Sequence, residues 1–304
     1  MAITIANALK RDHLLNTAMR AFKKRLLPLK ALSTEFLDVP LEGTNKVQVP
    51  YFPLASGAST DWVAGTGYVI GQNQGLLSKE VTVNKRKFRG VQFTSDEFTR
   101  QPFLKQEEFL ALEGEKLAED VIADIWSVVT AANFTATTLT AQAATAFDLD
   151  DVLALRELAQ KLHWPSAVRS LVLDTAPGMA LMKDSRLGYA NAQSLNQVRD
   201  GFPDFDVAGF KPHEVPNLPD NGAEKLIGAA IYSSAILVAA APINPTNEVR
   251  KIIDYKRVTD ADTGLTFEYR AWGDPDLDLT KEVIEVSYGY AVGEVNALLR
   301  ITKP

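Results

Sequence analysis

Cysteine is absent from the 304-residue chain, which excludes disulfides and every thiolate-bound zinc or iron–sulfur centre. Histidine is scarce: His13, His163 and His213 lie far apart, so no histidine cluster for metal binding or acid–base work is written into contiguous sequence. Long apolar runs are also missing. The longest, 226–243, is interrupted by Gly228, Tyr232, Ser233 and Ser234 and reads as a buried wall, not a bilayer span. The first thirty residues lack the basic, apolar and small-residue order of a secretory signal, so a cytoplasmic product with no membrane partner is expected. Neither sign of charge dominates. A net charge of −6 argues against a wholesale polyanion binder and leaves room for a local basic surface. What is present, 46% hydrophobic and 23% charged residues, is the composition of a globular protein long enough for a substantial core and two domains.

Residues 1–30 carry Lys10, Arg11, Arg20, Lys23, Lys24, Arg25 and Lys30 against the single acid Asp12. Leu15, Ala18, Phe22 and Leu26 share one helical face, so the segment is basic and amphipathic, and Pro28 disturbs or ends it. It reads as an arm that docks onto a neighbour or an assembly partner, as a helix laid on its own domain, or as a segment for membrane-surface or nucleic-acid contact. Val47, Val49 and Tyr51 then alternate with polar residues as a short strand. The stretch 54–78 is rich in Gly, Ser, Thr and Asn, and Val81, Val83, Phe88, Val91 and Phe93 follow with strand character. Together they predict a long hairpin over 54–92 whose return arm is basic through Lys79, Lys85, Arg86, Lys87 and Arg89.

The strongest helix signal covers 101–132. Leu110, Leu117, Val121, Ile125 and Val128 form one apolar face, and Gly114 and Ala118 leave room for a close neighbour. Its other faces are acidic, with Glu107, Glu108, Glu113, Glu115, Glu119, Asp120 and Asp124, either a solvated surface or a docking site for a basic segment of another copy. Asp148, Asp150 and Asp151 mark the start of a second helix, placed to cap it. A buried strand at 170–174 and a short helix near 177–183 follow, making 147–245 mixed α/β. From Arg250 onward strands return: one pair around the turn 260–264, and a closing pair near 283–289 and 292–300.

Patterns that carry chemistry are weak. Gly65, Gly67 and Gly71 lack the spacing and the strand–helix setting of a phosphate loop. The Asp148 group lacks the glycine and terminal glutamate of a calcium loop. His163 beside Trp164 and Pro165 reads as a structural residue at a helix end, and Ser33, Ser59 and Ser127 lack a nucleophile-elbow context. No catalytic, cofactor-binding or metal site is expected.

The order of these elements resembles the major capsid proteins of tailed bacteriophages, with the α+β Hong Kong 97-type fold that encapsulin shells share. The resemblance rests on the basic segment, the glycine-rich hairpin and the long helix in sequence. It adds the stretch from Phe147 to Leu155 with Trp164 and Pro165, the strand Leu171–Leu173, Val207 to His213, the small-residue strand and helix region 227–240, and the late strands about Thr263 to Arg270 and Glu285 to Tyr290. It implies an N-terminal arm (1–43), an E-loop hairpin (54–92), and a peripheral domain (44–53, 93–146 and 246–304) with its spine helix at 101–132. The axial domain is then 147–245.

The function implied is self-assembly as pentamers and hexamers into an icosahedral phage head in the host bacterial cytoplasm. That head encloses double-stranded DNA without reading its sequence. The implied partners are further copies of the chain, a portal protein, a decoration protein in some heads, and a separate scaffolding protein, since the long N-terminal extension of self-scaffolding relatives is missing. Lys79 and Lys85 are available for the covalent crosslink some relatives form, with no identifiable receiving asparagine. Intersubunit contacts are expected from Arg20, Lys23, Lys24, Arg25, Lys79, Lys85, Arg86, Lys87 and Arg89 to acids such as Glu107, Glu108 and Glu115. The physical rationale is independent of the resemblance: a hairpin with few large apolar groups loses entropy on ordering alone, and lying across a neighbour offsets that loss. An encapsulin-like compartment enclosing proteins is the alternative in the same class; a DNA-binding protein and a hydrolase are distant ones.

Overall fold

The computed structural model describes residues 16–22, 27–41, 43–54, 61–65, 76–100, 106–135, 139–140, 143–167, 169–190, 206–250, 253–259 and 264–304. In chain order, helix α1 (16–22) and a 3-10 turn (Leu27–Ala31) precede β1 (Ser33–Phe36), β2 (Lys46–Tyr51), β3 (Leu77–Thr82) and β4 (Lys85–Thr94). Helices α2 (Ser95–Arg100) and α3 (Gln106–Trp126) follow, then β5 (Leu139–Thr140), α4 (Leu149–Lys161), β6 (Arg169–Leu173), α5 (Thr175–Lys183), α6 (Ser185–Ala190) and β7 (Lys211–Glu214). The chain closes with β8 (Leu226–Tyr232), β9 (Ile236–Ala240), α7 (Asn247–Arg250), β10 (Asp254–Thr259), β11 (Thr266–Asp274), β12 (Leu279–Val292) and β13 (Leu298–Thr302).

These strands form two main sheets. One runs β1-β9-β12-β11-β10, with β4 also paired to β12; the other runs β5-β13-β8-β6-β7. The 14-residue β12 organises the first, because its early part pairs β4 on one side and β11 on the other, while Tyr288–Val292 pairs β9. Every residue of β8 and β9 is buried, as befits strands covered on both faces. Small residues are required there: a Cβ on Gly228 would sit 2.6 Å from the Val172 carbonyl.

The run 227–240, expected as a strand and helix, is therefore two strands, and they belong to different sheets. The chain crosses at Ser233–Ala235, where Gly293 N–H donates to the Ala235 carbonyl and Glu294 N–H to that of Ser234. The expected closing pair divides in the same way: β12 lies in one sheet and β13 in the other.

The long helix is shorter than its apolar periodicity suggested, ending at Trp126, not 132; residues 101–105 lie outside the described ones. The amide of Asn221, 95 residues from Trp126, donates to the Trp126 and Val129 carbonyls, and Asn133 Nδ2 donates to Val128. These bonds satisfy carbonyls that a continuing helix would have used. On α3, Leu110, Leu117, Val121 and Ile125 are buried as the periodicity requires. The small residues receive α1: an ideal Cβ on Gly114 would lie 2.8 Å from the Ala18 carbonyl.

Much of the N-terminal segment belongs to the chain's own core. Ala18, Met19, Phe22, Leu29, Ala31 and Leu32 are buried, Phe22 meets the Phe267 ring edge-on at 4.2 Å, and β1 pairs in parallel with β9. The reading of this stretch as an arm for a neighbour gives way, over residues 16–22 and 27–36, to docking on its own sheet. The hairpin is also displaced. Its stem is β2 with β3, Lys46 opposite Thr82 through Tyr51 opposite Leu77, and Val47, Val49 and Val81 bury a small core against Leu237 and Ala239. The strand expected as the remaining return arm, β4, instead lies in the main sheet because β12 supplies ten residue partners for it.

Candidate assembly surface

Strand alternation sends Lys85, Lys87 and Arg89 of β4 to the sheet face covered by α3, and Arg86 and Phe88 to the other. On the helix face, Lys85 Nζ lies 2.9 Å from both oxygens of Asp124 and donates to the Tyr290 hydroxyl at 2.6 Å. Tyr288 donates to Asp124 at 2.7 Å. Burial pushes the Asp124 carboxyl up, but the hydrogen bonds from Lys85 and Tyr288 outweigh it and hold the group below its ordinary value. Burial likewise pulls Lys85 down, and its bonds to Tyr290 and Asp124 leave it raised. Tyr288 is raised by burial and by its bond to Asp124. Further along, Lys87 donates to the Asp120 carbonyl at 2.7 Å, and Arg89 pairs with the Asp120 carboxylate at 2.6 Å and with Glu113 at 3.8 Å.

On the opposite face a second chain of charge crosses four strands. Arg86 (β4) reaches Glu285 (β12) at 2.5 Å, and Arg270 (β11) donates to the other oxygen of Glu285. Beside them Tyr255 (β10) donates to Glu268 (β11), and Arg257 Nε donates to the Tyr255 hydroxyl at 2.6 Å. Glu268 is fully buried and also accepts from the Ile243 amide at 3.0 Å. Burial raises the Glu268 carboxyl above its ordinary value, and burial together with Glu268 pushes the Tyr255 phenol up to about 12.

The four cations nominated from the β4 sequence are thus engaged inside one chain. Contacts of Lys85, Arg86, Lys87 or Arg89 with another subunit would draw on pairs already formed within the first. The acids that hold them, Asp120, Asp124 and Glu285, were not the ones singled out for pairing. The signal was present in the i, i+4 spacing of Asp120 and Asp124, which places both above one strand.

Of the other contact candidates, Arg20 is exposed on α1, and Lys79 is exposed on β3 with its Nζ donating to the Val292 carbonyl at 2.7 Å. Glu108 is exposed and Glu115 half-buried on α3. Lys23, Lys24, Arg25 and the side chain of Glu107 lie outside the described residues. At the last pair of the hairpin stem and beyond it, Leu77, Phe52, Trp62, Val63 and Leu76 are exposed, apolar side chains that the stem itself leaves uncovered.

The aspartates at the start of α4 act as a cap. Asp148 accepts from the Asp150 and Asp151 amides, and Asp151 returns the bond to the Asp148 amide. Arg186 fills the space among Asp148, Asp150 and Asp184, so a guanidinium stands where a cation could have been imagined. Among the described residues no group of three His, Asp or Glu side chains converges as a metal site, and no helix is long and apolar enough to cross a membrane.

No protein-family model and no curated protein matches the sequence. Solved structures do match the fold. The capsid structure of the cyanophage P-SCSP1u is 13% identical, covering 90% of this chain and 86% of its own, with a TM-score of 0.55. The mature capsid of bacteriophage PhiM1 is 10% identical, covering 89% and 85%, with a TM-score of 0.52. A virus-like particle from Pyrococcus furiosus is 9% identical, covering 94% and 96%, with a TM-score of 0.50. The chain therefore has the α+β fold of tailed-phage capsid proteins, in the general Hong Kong 97-type topology.

Proposed function

We propose that this chain is the structural subunit of an icosahedral phage head, assembling as pentamers and hexamers around double-stranded DNA. The observation that carries the reading is the agreement of fold with phage capsid chains over about nine-tenths of its length. In this reading α3 is the spine helix, the six-stranded sheet belongs to the peripheral domain, and the five-stranded sheet with α4 and α5 forms the axial domain. The β2–β3 stem carries the E-loop, and the exposed Phe52, Trp62, Val63, Leu76 and Leu77 are the apolar groups that a neighbouring subunit covers. The subunit has a structural role and no catalytic one, and its destination is the virion. A separate scaffolding protein and a portal protein complete the assembly.

Electron microscopy of the purified protein, co-expressed with a scaffolding candidate, tests this reading. Closed symmetric particles are expected, and monomers under every assembly condition would overturn it. The match to the Pyrococcus furiosus particle supports a second reading, an encapsulin-like compartment. Nuclease-protected DNA inside particles recovered from an infection distinguishes a phage head from a shell filled with protein.

A further inference from the structure

We propose that Lys30, Lys211 and His213 form a patch that contacts the phosphate backbone of nucleic acid. Strand β7 is an edge strand of the five-stranded sheet, and residues i and i+2 of a strand share a face, so Lys211 and His213 point the same way. The 3-10 turn that carries Lys30 packs against β6 and β7. Both lysines are exposed, and neither forms an ion pair among the described residues. That separates them from the cations of β4, each of which has an acceptor within the chain. His213 is half-buried; burial, then Lys211, then Lys30, hold its imidazole down to about 4, with no carboxylate opposing them. Glu214 follows on the strand, but alternation turns it to the opposite face.

Among the described residues the patch is thus a pair of ammonium groups with no compensating carboxylate, beside a neutral imidazole, in a chain whose net charge is −6. Lysine meets phosphodiesters as a point charge, and the polyanion that the proposed shell encloses is DNA, so nucleic acid is the occupant assigned. The inference rests on the proposed function for that choice and in one further respect: a shell around DNA repeats this weak patch many times, and repetition gives it consequence.

The test does not need shells. The ring proton signals of His213, assigned by loss in His213→Gln, are followed by NMR in free subunits at low salt while a short DNA duplex of arbitrary sequence is added. His213 signals are expected to shift while those of His163 stay still. The shift should vanish in a Lys30→Glu/Lys211→Glu variant whose melt matches wild type, and affinity should fall with salt at a slope of about two phosphates. Should the double variant fail to fold, Lys211→Gln alone is expected to halve the response or more. An unmoved His213, or an equal shift with poly-glutamate, overturns the patch and leaves the shell reading to the micrographs.

Discussion

Asp124 in the last turn of α3 holds Lys85 of β4 and Tyr288 of β12 at once, at 2.9 and 2.7 Å, so one carboxylate fastens the helix to two strands. Asp124→Ala should cost about 2 kcal/mol, because a charged hydrogen-bond acceptor is lost and Lys85 keeps only neutral partners. Lys85→Glu should cost more, by setting like charges together, so it lowers the melting temperature of the subunit before any effect on assembly is read. The carboxyl of Asp124 is depressed in the folded state. Its stabilisation is present above the unfolded value of roughly 3.9 and is lost as pH falls through the folded one. Melting curves between neutral and acid pH should therefore be flatter for Asp124→Asn; an unchanged acid profile would falsify this assignment.

Glu268 and Glu285 should respond unequally to neutralisation. Glu285 serves both Arg86 and Arg270, so Glu285→Gln weakens two charged partners and should cost about 3 kcal/mol. Glu268 is raised by burial; its charged form is disfavoured, and stability is lost as pH rises from an unfolded value of roughly 4.3 through the folded one. Glu268→Gln removes the buried charge but offers one acceptor oxygen where Tyr255 and the Ile243 amide each use one, so near pH 7 it should cost less than Glu285→Gln, about 1 kcal/mol. Denaturant titrations of both variants at that pH decide the order, and Glu268→Gln as the more damaging change would contradict it.

What the sequence made readable, and what it did not, divides along the distance between interacting residues. The Asp148 cap needs only the amides two and three positions on. The alternation of Val47 and Val49 needs only its own strand, and β10 with β11 forms the expected pair on either side of residues 260–264. The end of α3 was hidden because Asn221 supplies the capping amide from a remote loop. The run 226–240 was ambiguous because burial on every side erases the period that separates strand from helix. Basic alternation in β4 suggested a solvent-facing or intersubunit arm, since the partners that neutralise it come from α3 and from β12 near the end of the chain. For the same reason the contact candidates were recognisable as charges but not as pairs.

The N-terminal segment should be needed for the subunit fold itself. Phe22 is fully buried and packs on Phe267, so Phe22→Ala should cost about 3–5 kcal/mol. Gly114→Val should also destabilise, because its side chain would press on the Ala18 backbone. Deleting residues 1–30 removes Ala18, Met19, Phe22 and Leu29 from the core together, and loss of the cooperative melt is expected. A truncated protein that still melted sharply at the wild-type temperature would return this segment to the role of a detachable arm.

Hydrogen exchange in free subunits should separate β3 from β4, although the sequence reads both as one return arm. The residues of β4 face ten partners on β12, from Thr94 opposite Leu279 to Lys85 opposite Tyr288, and one side of the strand is sealed by α3. Opening it requires breaking this whole ladder together with the ion pairs to α3, so amides that bond to β12 should exchange only through large openings of high free energy. Strand β3 has a smaller hold: it pairs with β2 alone, and only Val81 among its residues is buried. Its bonded amides should open at lower free energy, and those from Leu77 to Glu80 should exchange at least tenfold faster than the protected amides of β4. In assembled particles the β3 signal should slow, since the apolar side chains Leu76 and Leu77 beside it are then covered, while β4 changes little. Equal and fast exchange along both strands in the free subunit would mean that β4 is not held in the sheet, and the pairing of Asp124 with Lys85 would fall with it.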